Sequence, residues 1–171
     1  MRVRIPPPVP NPNGDSVDLQ SLQLRYAPES RCFGCGPANM DGLRIRSYIG
    51  GDGTVVATWQ PRKEHEAFDG FVNGGILGTL IDCHSNWTAV VALLTRTGAS
   101  EAPSTVTSEL SVQFQKPTPS DRPLRLIGRA VDVRDDRVTV ETTVEVDDKP
   151  TARGRATFVQ VKPGHPAFGR W

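Results

Sequence analysis

The chain has 171 residues, a formal net charge of +1 and three cysteines. This length suits one domain with its own core, and the balanced charge provides no field that would steer the protein toward nucleic acid. No apolar run reaches the ~18 residues that a membrane span needs. The first fifteen residues contain arginines but no apolar signal core, so we expect a cytoplasmic protein with free thiols.

Three regions divide the chain. Residues 1–18 are rich in Pro, Asn and Gly and are predicted to form a flexible arm, residues 19–162 form the domain, and residues 163–171 form a surface tail. A short helix is predicted at the start of the domain. The alternating segments 43–49 and 54–60 flank a glycine-rich turn and predict a β-hairpin.

A long helix is predicted to follow. From Asn73 to about Leu94, apolar residues point in nearly all directions around a helical axis, and Asn73 can cap the first turn. A helix that is apolar on almost every side is buried, and here a sheet is expected to wrap it.

Four strands are predicted after this helix. The segments 104–117, 123–135, 137–148 and 151–162 alternate apolar and polar residues across short links, which predicts an antiparallel meander. In the first segment, strict alternation places Thr107 on the face opposite the apolar residues. We therefore predict an α+β domain in which a curved antiparallel sheet wraps a long central helix.

Two glycines, Gly74 and Gly75, open the predicted long helix. The first N–H groups of a helix lack internal partners, the macrodipole adds positive charge there, and glycine lets another atom approach the backbone. Such donors could stabilise the oxygen of an acyl-transfer transition state. Alternatively, the glycines only allow tight packing where the chain reverses.

One acid, Asp82, lies in the middle of this helix. It shares a face with Gly75 and Gly78, and Ser85 and Asn86 extend that face by one turn. This face carries small residues in its first turns and polar residues after them. It predicts either the floor of a substrate groove or a close contact with another helix. A buried carboxylate needs a partner, a raised pKa or access to water, and all three describe a candidate general base or nucleophile.

The spacing of Gly74 and Asp82 constrains any joint role. Asp82 lies eight residues after Gly74, which is about 12 Å along a helix axis. One thioester carbonyl cannot contact both groups at the ~3 Å that such contacts require. If both act on one substrate they belong to different chains, so this chemistry demands a homodimer.

Four motifs occur along the chain in order. CFGCGPANMDGLRI is followed by HEAFDGFVNGG, then by Asp82, nine positions after Asn73, and then by TSELSVQFQKPT. Together they resemble the lead-in, the His-Gly-Gly and Asp signature and the next strand of the PaaI-like family of hot dog fold acyl-CoA thioesterases. The resemblance covers roughly residues 31–161. Asn73 replaces the family's usual His, and Ala67 replaces an Asn of some relatives.

The resemblance implies a site as well as a fold. It implies that Asp82 is the base or nucleophile, that the Gly74 N–H polarises the thioester carbonyl, and that Thr107 positions the attacking water or the acid. The implied substrate is an acyl-CoA lying between two subunits, with no metal and no cofactor beyond the CoA of the substrate. Such homodimers can also pair into homotetramers.

Other residues around the signature are candidate substrate contacts. Asn73 can cap the helix and donate a hydrogen bond but cannot titrate near neutral pH, and it joins Gly75 as a candidate contact. His65 is a candidate through the family spacing alone. Arg62 and Lys63 could meet CoA phosphates, or could form a solvated charge cluster.

The cysteines offer a weaker pattern. Cys32 and Cys35 form one C-x2-C pair. Cys83 and His84 are adjacent on the helix and point about 100° apart, so they complete a tetrahedral metal site poorly. We expect no metal, and thiols packed in a turn.

Three functions remain open at this point. The first is carboxylate-assisted hydrolysis of an acyl-CoA thioester to the free acid and CoA at a dimer interface. A hot dog hydratase or dehydratase would require a catalytic His near the helix, and Asn73 removes the obvious one. A non-catalytic dimer that binds acyl-CoA or lipid would use the acid only to order its groove. No feature indicates a nucleic acid partner or a membrane span.

Overall fold

The computed structural model describes residues 20–170 and the backbone of two short N-terminal strands. These are β1 (Val9–Pro10) and β2 (Ser16–Val17), which pair antiparallel. The rest of the predicted arm lies outside the described residues. Among the described helices, none is long and apolar enough to cross a membrane.

Both predicted helices are present. The short one is α1 (Leu22–Tyr26) and the long one is α2 (Gly74–Thr97). Asn73 caps α2 as predicted, because its Oδ1 accepts a hydrogen bond of 2.7 Å from the Gly75 N–H. The helix ends at Gly98, whose left-handed φ of 69° is the conformation that glycine provides at helix ends.

Six strands form the main sheet, and two more form a small ladder before α2. Their bounds are β3 (Ser47–Ile49), β4 (Val55–Trp59), β5 (Glu66–Phe68), β6 (Phe71–Val72), β7 (Thr105–Phe114), β8 (Leu124–Val133), β9 (Arg137–Val146) and β10 (Lys149–Gln160). The main sheet is antiparallel with the spatial order β3-β4-β8-β9-β10-β7, and β5 pairs with β6.

The predicted meander is only partly correct. The strands β8, β9 and β10 follow one another as neighbours, but β7 lies at the edge of the sheet beside β10 and does not pair with β8. Residues 115–123 carry the chain from the end of β7 to the start of β8, across the sheet. Alternation of apolar and polar residues predicts where strands occur but not which strands pair with one another. The crossover between β7 and β8 therefore does not follow from the sequence pattern.

The first predicted hairpin is also shorter than expected. The segment 43–49 pairs with β4 only from Ser47 onward. Arg44 has a φ of 53°, which interrupts an extended backbone. The Ile45 N–H instead donates to the Gly34 carbonyl at 3.0 Å, so this segment is held against an earlier loop.

The concave face of the sheet wraps α2, as the sequence predicted. The buried apolar side chains of α2 meet those of the central strands, and the largest of them is Trp87, which is 2% exposed. One contact is especially close. A Cβ atom added at Gly154 of β10 would lie 2.2 Å from Ile81 Cγ2, so glycine allows the sheet to approach the helix here.

A β-bulge in β7 decides which of its residues face α2. The pairing of β7 with β10 skips Ser108. Thr107 is paired with Phe158 and Leu110 with Ala156, and both of these partners are buried on the helix side of the sheet. Thr107 therefore faces α2 together with Leu110, whereas strict alternation predicted the opposite face.

Candidate active site

The centre of the site is a contact between α2 and β7. Asp82 is half-buried on α2, and its Oδ1 accepts a hydrogen bond of 2.8 Å from Thr107 Oγ1. Burial raises the pKa of the Asp82 carboxyl above its usual value, and the bond from Thr107 opposes that rise. The two residues that the family resemblance named as the acid and its positioning group are thus in direct contact.

A second hydrogen bond also joins β7 to α2. Thr105 Oγ1 donates to Asn86 Oδ1 at 2.7 Å, one helical turn from Asp82 and two residues from Thr107. Both Asn86 and Thr105 are buried. Sequence reasoning did not single out Thr105, although a residue two positions before Thr107 shares its face on any regular strand.

Ser85 and Asn86 do not extend an open groove. Ser85 has no exposed surface in the protomer, and its hydroxyl pairs with Thr142 of β9 at 2.8 Å. Asn86 is bound to β7 as described above. The sheet curves over α2 beyond Asp82, so the polar face predicted from helical spacing is covered by strands there.

One of the two glycines at the start of α2 offers a free donor. The Gly75 N–H is used by the Asn73 cap, whereas the Gly74 N–H has no hydrogen-bond partner among the described residues. A Cβ atom at Gly74 would lie 3.1 Å from the ring of Phe114, so glycine also permits the end of β7 to pack closely. Of the two predicted glycine donors, Gly74 is the available one.

The helix face between these groups is open in the protomer. A Cβ atom added at Gly78 would meet nothing within 4 Å, and Gly75 is exposed. The face that joins Gly75, Gly78 and Asp82 is therefore bare in the protomer.

An apolar cleft opens beside Gly74. Its volume is about 360 Å³, and its walls include Phe68, Phe71, Leu77 and Phe114. Phe68 and Phe114 are 63% and 58% exposed. Two larger cavities, of about 410 and 510 Å³, lie against the second half of α2 and include neither Gly74 nor Asp82.

His65 has a structural environment. It is buried, its ring packs on Trp59 with 4.8 Å between the ring centroids, and its Nδ1 accepts a hydrogen bond from the Arg62 N–H at 3.0 Å. Burial lowers the pKa of His65 below its usual value. Its backbone carbonyl accepts a hydrogen bond of 2.8 Å from the N–H of Asn73, so His65 helps to hold the residue that caps α2.

The basic pair before the helix is already neutralised. Arg62 lies 2.9 Å from Glu64, and Lys63 lies 2.6 Å from Asp69, with all four side chains exposed. Exposed ion pairs such as these contribute little stability. The arrangement matches the solvated charge cluster among the two predicted alternatives.

Cys83 and His84 separate, as their helical spacing predicted, but Cys83 joins the other cysteines. Its Sγ lies 3.6 Å from Cys32 Sγ, with Cys35 beside them. His84 is fully buried on the other side, where its Nε2–H donates to the Val55 carbonyl at 2.9 Å and its Nδ1 accepts from Ser47 Oγ at 2.9 Å. The expected packing of thiols therefore involves three residues.

Comparisons with known proteins agree with this architecture. The family model of the thioesterase superfamily matches residues 69–153. A thioesterase superfamily protein from Shewanella loihica PV-4 is 30% identical, with a TM-score of 0.61 over 78% of this chain and 96% of that chain. A search of curated proteins finds no significant match.

Two further structures share the fold at lower identity. The E. coli PaaI protein from the phenylacetic acid degradation operon is 16% identical, with a TM-score of 0.59 over 70% of this chain and 81% of that chain. A Streptococcus mutans UA159 protein bound to acetyl CoA is 23% identical, with a TM-score of 0.55 over 64% and 82% of the two chains.

The wrapped helix, the antiparallel sheet and these matches define a hot dog fold. The chain belongs to the thioesterase superfamily, whose general activity is the hydrolysis of acyl thioesters. The resemblance to PaaI-like hot dog thioesterases that the four motifs predicted is confirmed.

Proposed function

We propose that the protein hydrolyses an acyl-CoA thioester to a free acid and CoA, at a site shared by two copies of the chain. The observation that carries this proposal is the Asp82–Thr107 hydrogen bond of 2.8 Å on an open face of α2. A carboxylate held in place by a neighbouring hydroxyl, half-buried and open to one side, suits a general base or a nucleophile.

The need for a second copy follows from the separation of two residues along the helix. Gly74 and Asp82 are separated by about 12 Å along α2, so one carbonyl group cannot contact both within one protomer. The exposed edge of β7 supports a pairing of copies, because ten residues of an edge strand leave backbone groups unpaired. Leu110 and Phe114, 39% and 58% exposed, add apolar surface along the same strand.

In the proposed reaction, the Gly74 N–H of one copy donates a hydrogen bond to the thioester oxygen. This donor stabilises the negative charge that develops on the oxygen as the carbonyl carbon is attacked. Asp82 of the other copy either takes a proton from the attacking water or attacks the carbon itself. In the first route, the hydroxide adds to the carbonyl carbon, the C–S bond breaks, and the departing CoA thiolate takes back the proton held by Asp82. In the second route, breakage of the C–S bond leaves an anhydride between the acyl group and Asp82, and the CoA thiolate takes a proton from water. A second water then hydrolyses that anhydride, which releases the free acid and restores the Asp82 carboxylate.

The two ends of the substrate have different support. The apolar cleft beside Gly74 suits the acyl group, because Phe68, Phe71 and Phe114 would shield it from water. The CoA end is supported by the relative from Streptococcus mutans, which was observed bound to acetyl CoA.

The test is hydrolysis of a panel of acyl-CoA esters by the wild-type protein, by Asp82→Asn and by Asp132→Asn. Asp132 is an exposed acid on β8 that pairs with Arg134, so it serves as the matched control. We expect kcat/KM to fall about 10²- to 10⁴-fold in Asp82→Asn only. Equal activity in all three proteins would remove this mechanism.

The products separate this proposal from the other two functions. Formation of an enoyl thioester without release of CoA would identify a dehydratase. Binding of acyl-CoA without any turnover would identify a non-catalytic binding protein. Both products and the binding constant can be measured on the same preparation.

A further inference from the structure

All three cysteines of the chain converge between one loop and α2. The Sγ atoms of Cys32, Cys35 and Cys83 lie within 4.8 Å of one another, and those of Cys32 and Cys83 are 3.6 Å apart. In a tetrahedral zinc site with Zn–S bonds of about 2.3 Å, neighbouring sulfurs are about 3.8 Å apart. The separation of these sulfurs therefore suits a single ion among them.

The loop is built so that its sulfurs can reach Cys83. A Cβ atom at Gly34 would lie 2.3 Å from Cys83 Sγ, and one at Gly36 would lie 2.5 Å from the backbone nitrogen of Cys32. The Gly36 N–H donates to the Cys32 carbonyl at 2.8 Å, which closes the turn. Side chains at these two positions would displace the loop from the helix, so both glycines serve this contact.

Trp87, on α2, donates a hydrogen bond to one of the sulfurs. The distance from its Nε1 to Cys35 Sγ is 3.4 Å. Such a bond stabilises negative charge on sulfur, and the thiolate is the form that binds metals. The helix thus supplies a surrounding donor of the kind that a thiolate site uses.

A positive side chain lies close to the cluster. Arg46 Nη1 donates to the Cys35 carbonyl at 3.2 Å and is half-buried. Three thiolates and one divalent ion carry a net charge of −1, and a guanidinium bound to the backbone of this loop partly offsets it.

We propose that Cys32, Cys35 and Cys83 bind one Zn²⁺ ion through three thiolates, with an exogenous ligand such as water in the fourth position. Thiolate ligands select Zn²⁺ and Cu⁺ among common ions. Cys32 is partly exposed, which leaves room for a fourth ligand and favours tetrahedral Zn²⁺ over three-coordinate Cu⁺. Binding releases the thiol protons and clips the 32–36 loop to the helix that carries Asp82.

The test is metal binding by the full, reduced chain. The protein is loaded with Zn²⁺ and passed through a desalting column, and the retained metal is measured by elemental analysis. Affinity is then measured against a competing chelator, and Co²⁺ replaces Zn²⁺ to reveal thiolate-to-cobalt absorption. The variants are Cys32→Ser and Cys83→Ser, with His165→Gln as the control because His165 is an exposed imidazole outside the cluster.

We expect one Zn²⁺ per chain and a thiolate–cobalt band in the wild type and in His165→Gln. In Cys32→Ser and Cys83→Ser, we expect at least about tenfold weaker binding and a reduced band. Circular dichroism shows whether each variant is folded. Cys32→Ser is the decisive variant because Cys32 is the least buried of the three.

Three results would overturn the proposal. The first is zinc retention that is unchanged in a folded Cys32→Ser protein. The second is retention of Cu⁺ without Zn²⁺. The third is a wild-type chain that retains no Zn²⁺ and whose cysteines react with a thiol reagent at the same rate with and without added Zn²⁺. A chain that only forms a disulfide between Cys32 and Cys83 would count as this third result.

Discussion

Replacing Thr107 by valine tests how much the hydrogen bond to Asp82 contributes to turnover. Valine keeps the branched shape of threonine on β7 but cannot donate the 2.8 Å bond to Asp82 Oδ1. A hydrogen bond to a charged group contributes about 1.5–3 kcal/mol. At about 1.36 kcal/mol per tenfold, kcat should fall about 10- to 150-fold, with KM nearly unchanged because Thr107 acts through Asp82.

The assay is steady-state hydrolysis of the best acyl-CoA substrate by wild type, Thr107→Val and Thr107→Ser. Serine retains a hydroxyl at the same position, so Thr107→Ser should recover most of the activity. Unchanged kcat in Thr107→Val, measured alongside an inactive Asp82→Asn, would show that the carboxylate needs no orientation by Thr107. An equal loss in the valine and serine variants would indicate a packing defect and would also refute the reasoning.

Three further predictions concern stability. Burial lowers the pKa of His84 from 6.5 to about 4. The unfolded chain, with a histidine pKa near 6.5, therefore binds more protons than the folded chain as the pH falls. The free energy of unfolding should drop by about 2 kcal/mol between about pH 7.5 and about pH 5. Urea titrations at the two pH values should show a smaller drop in His84→Gln. Gly154→Ala should lose about 1–3 kcal/mol in thermal denaturation, because its Cβ would clash with Ile81, and an unchanged melting temperature would contradict the close approach. Asn73→Ala should lose about 1 kcal/mol by removal of the cap on Gly75, whereas Asn73→Asp should keep it; equal losses in the two variants would argue against the cap.

Short-range patterns in the sequence predict much of the fold, and they predict the part of the candidate site that lies on α2. Asn73 predicts the start of α2 because its side chain satisfies an amide that has no partner inside the helix. The all-round apolar pattern of α2 predicts its burial, and alternation predicts the strands after it. The positions of Gly74 and Asp82 on one helix, and hence their separation, also follow from helical geometry alone.

The tertiary structure decided which of these elements meet. One bulge at Ser108 turns Thr107 toward Asp82, and strict alternation cannot reveal an inserted residue in a strand. The curvature of the sheet covers Ser85, although helical spacing places it on the polar face. Cys83 meets Cys32, 51 residues earlier in the chain, because a glycine loop packs on α2. Such contacts depend on how distant segments pack, and this information is absent from any short window of the sequence.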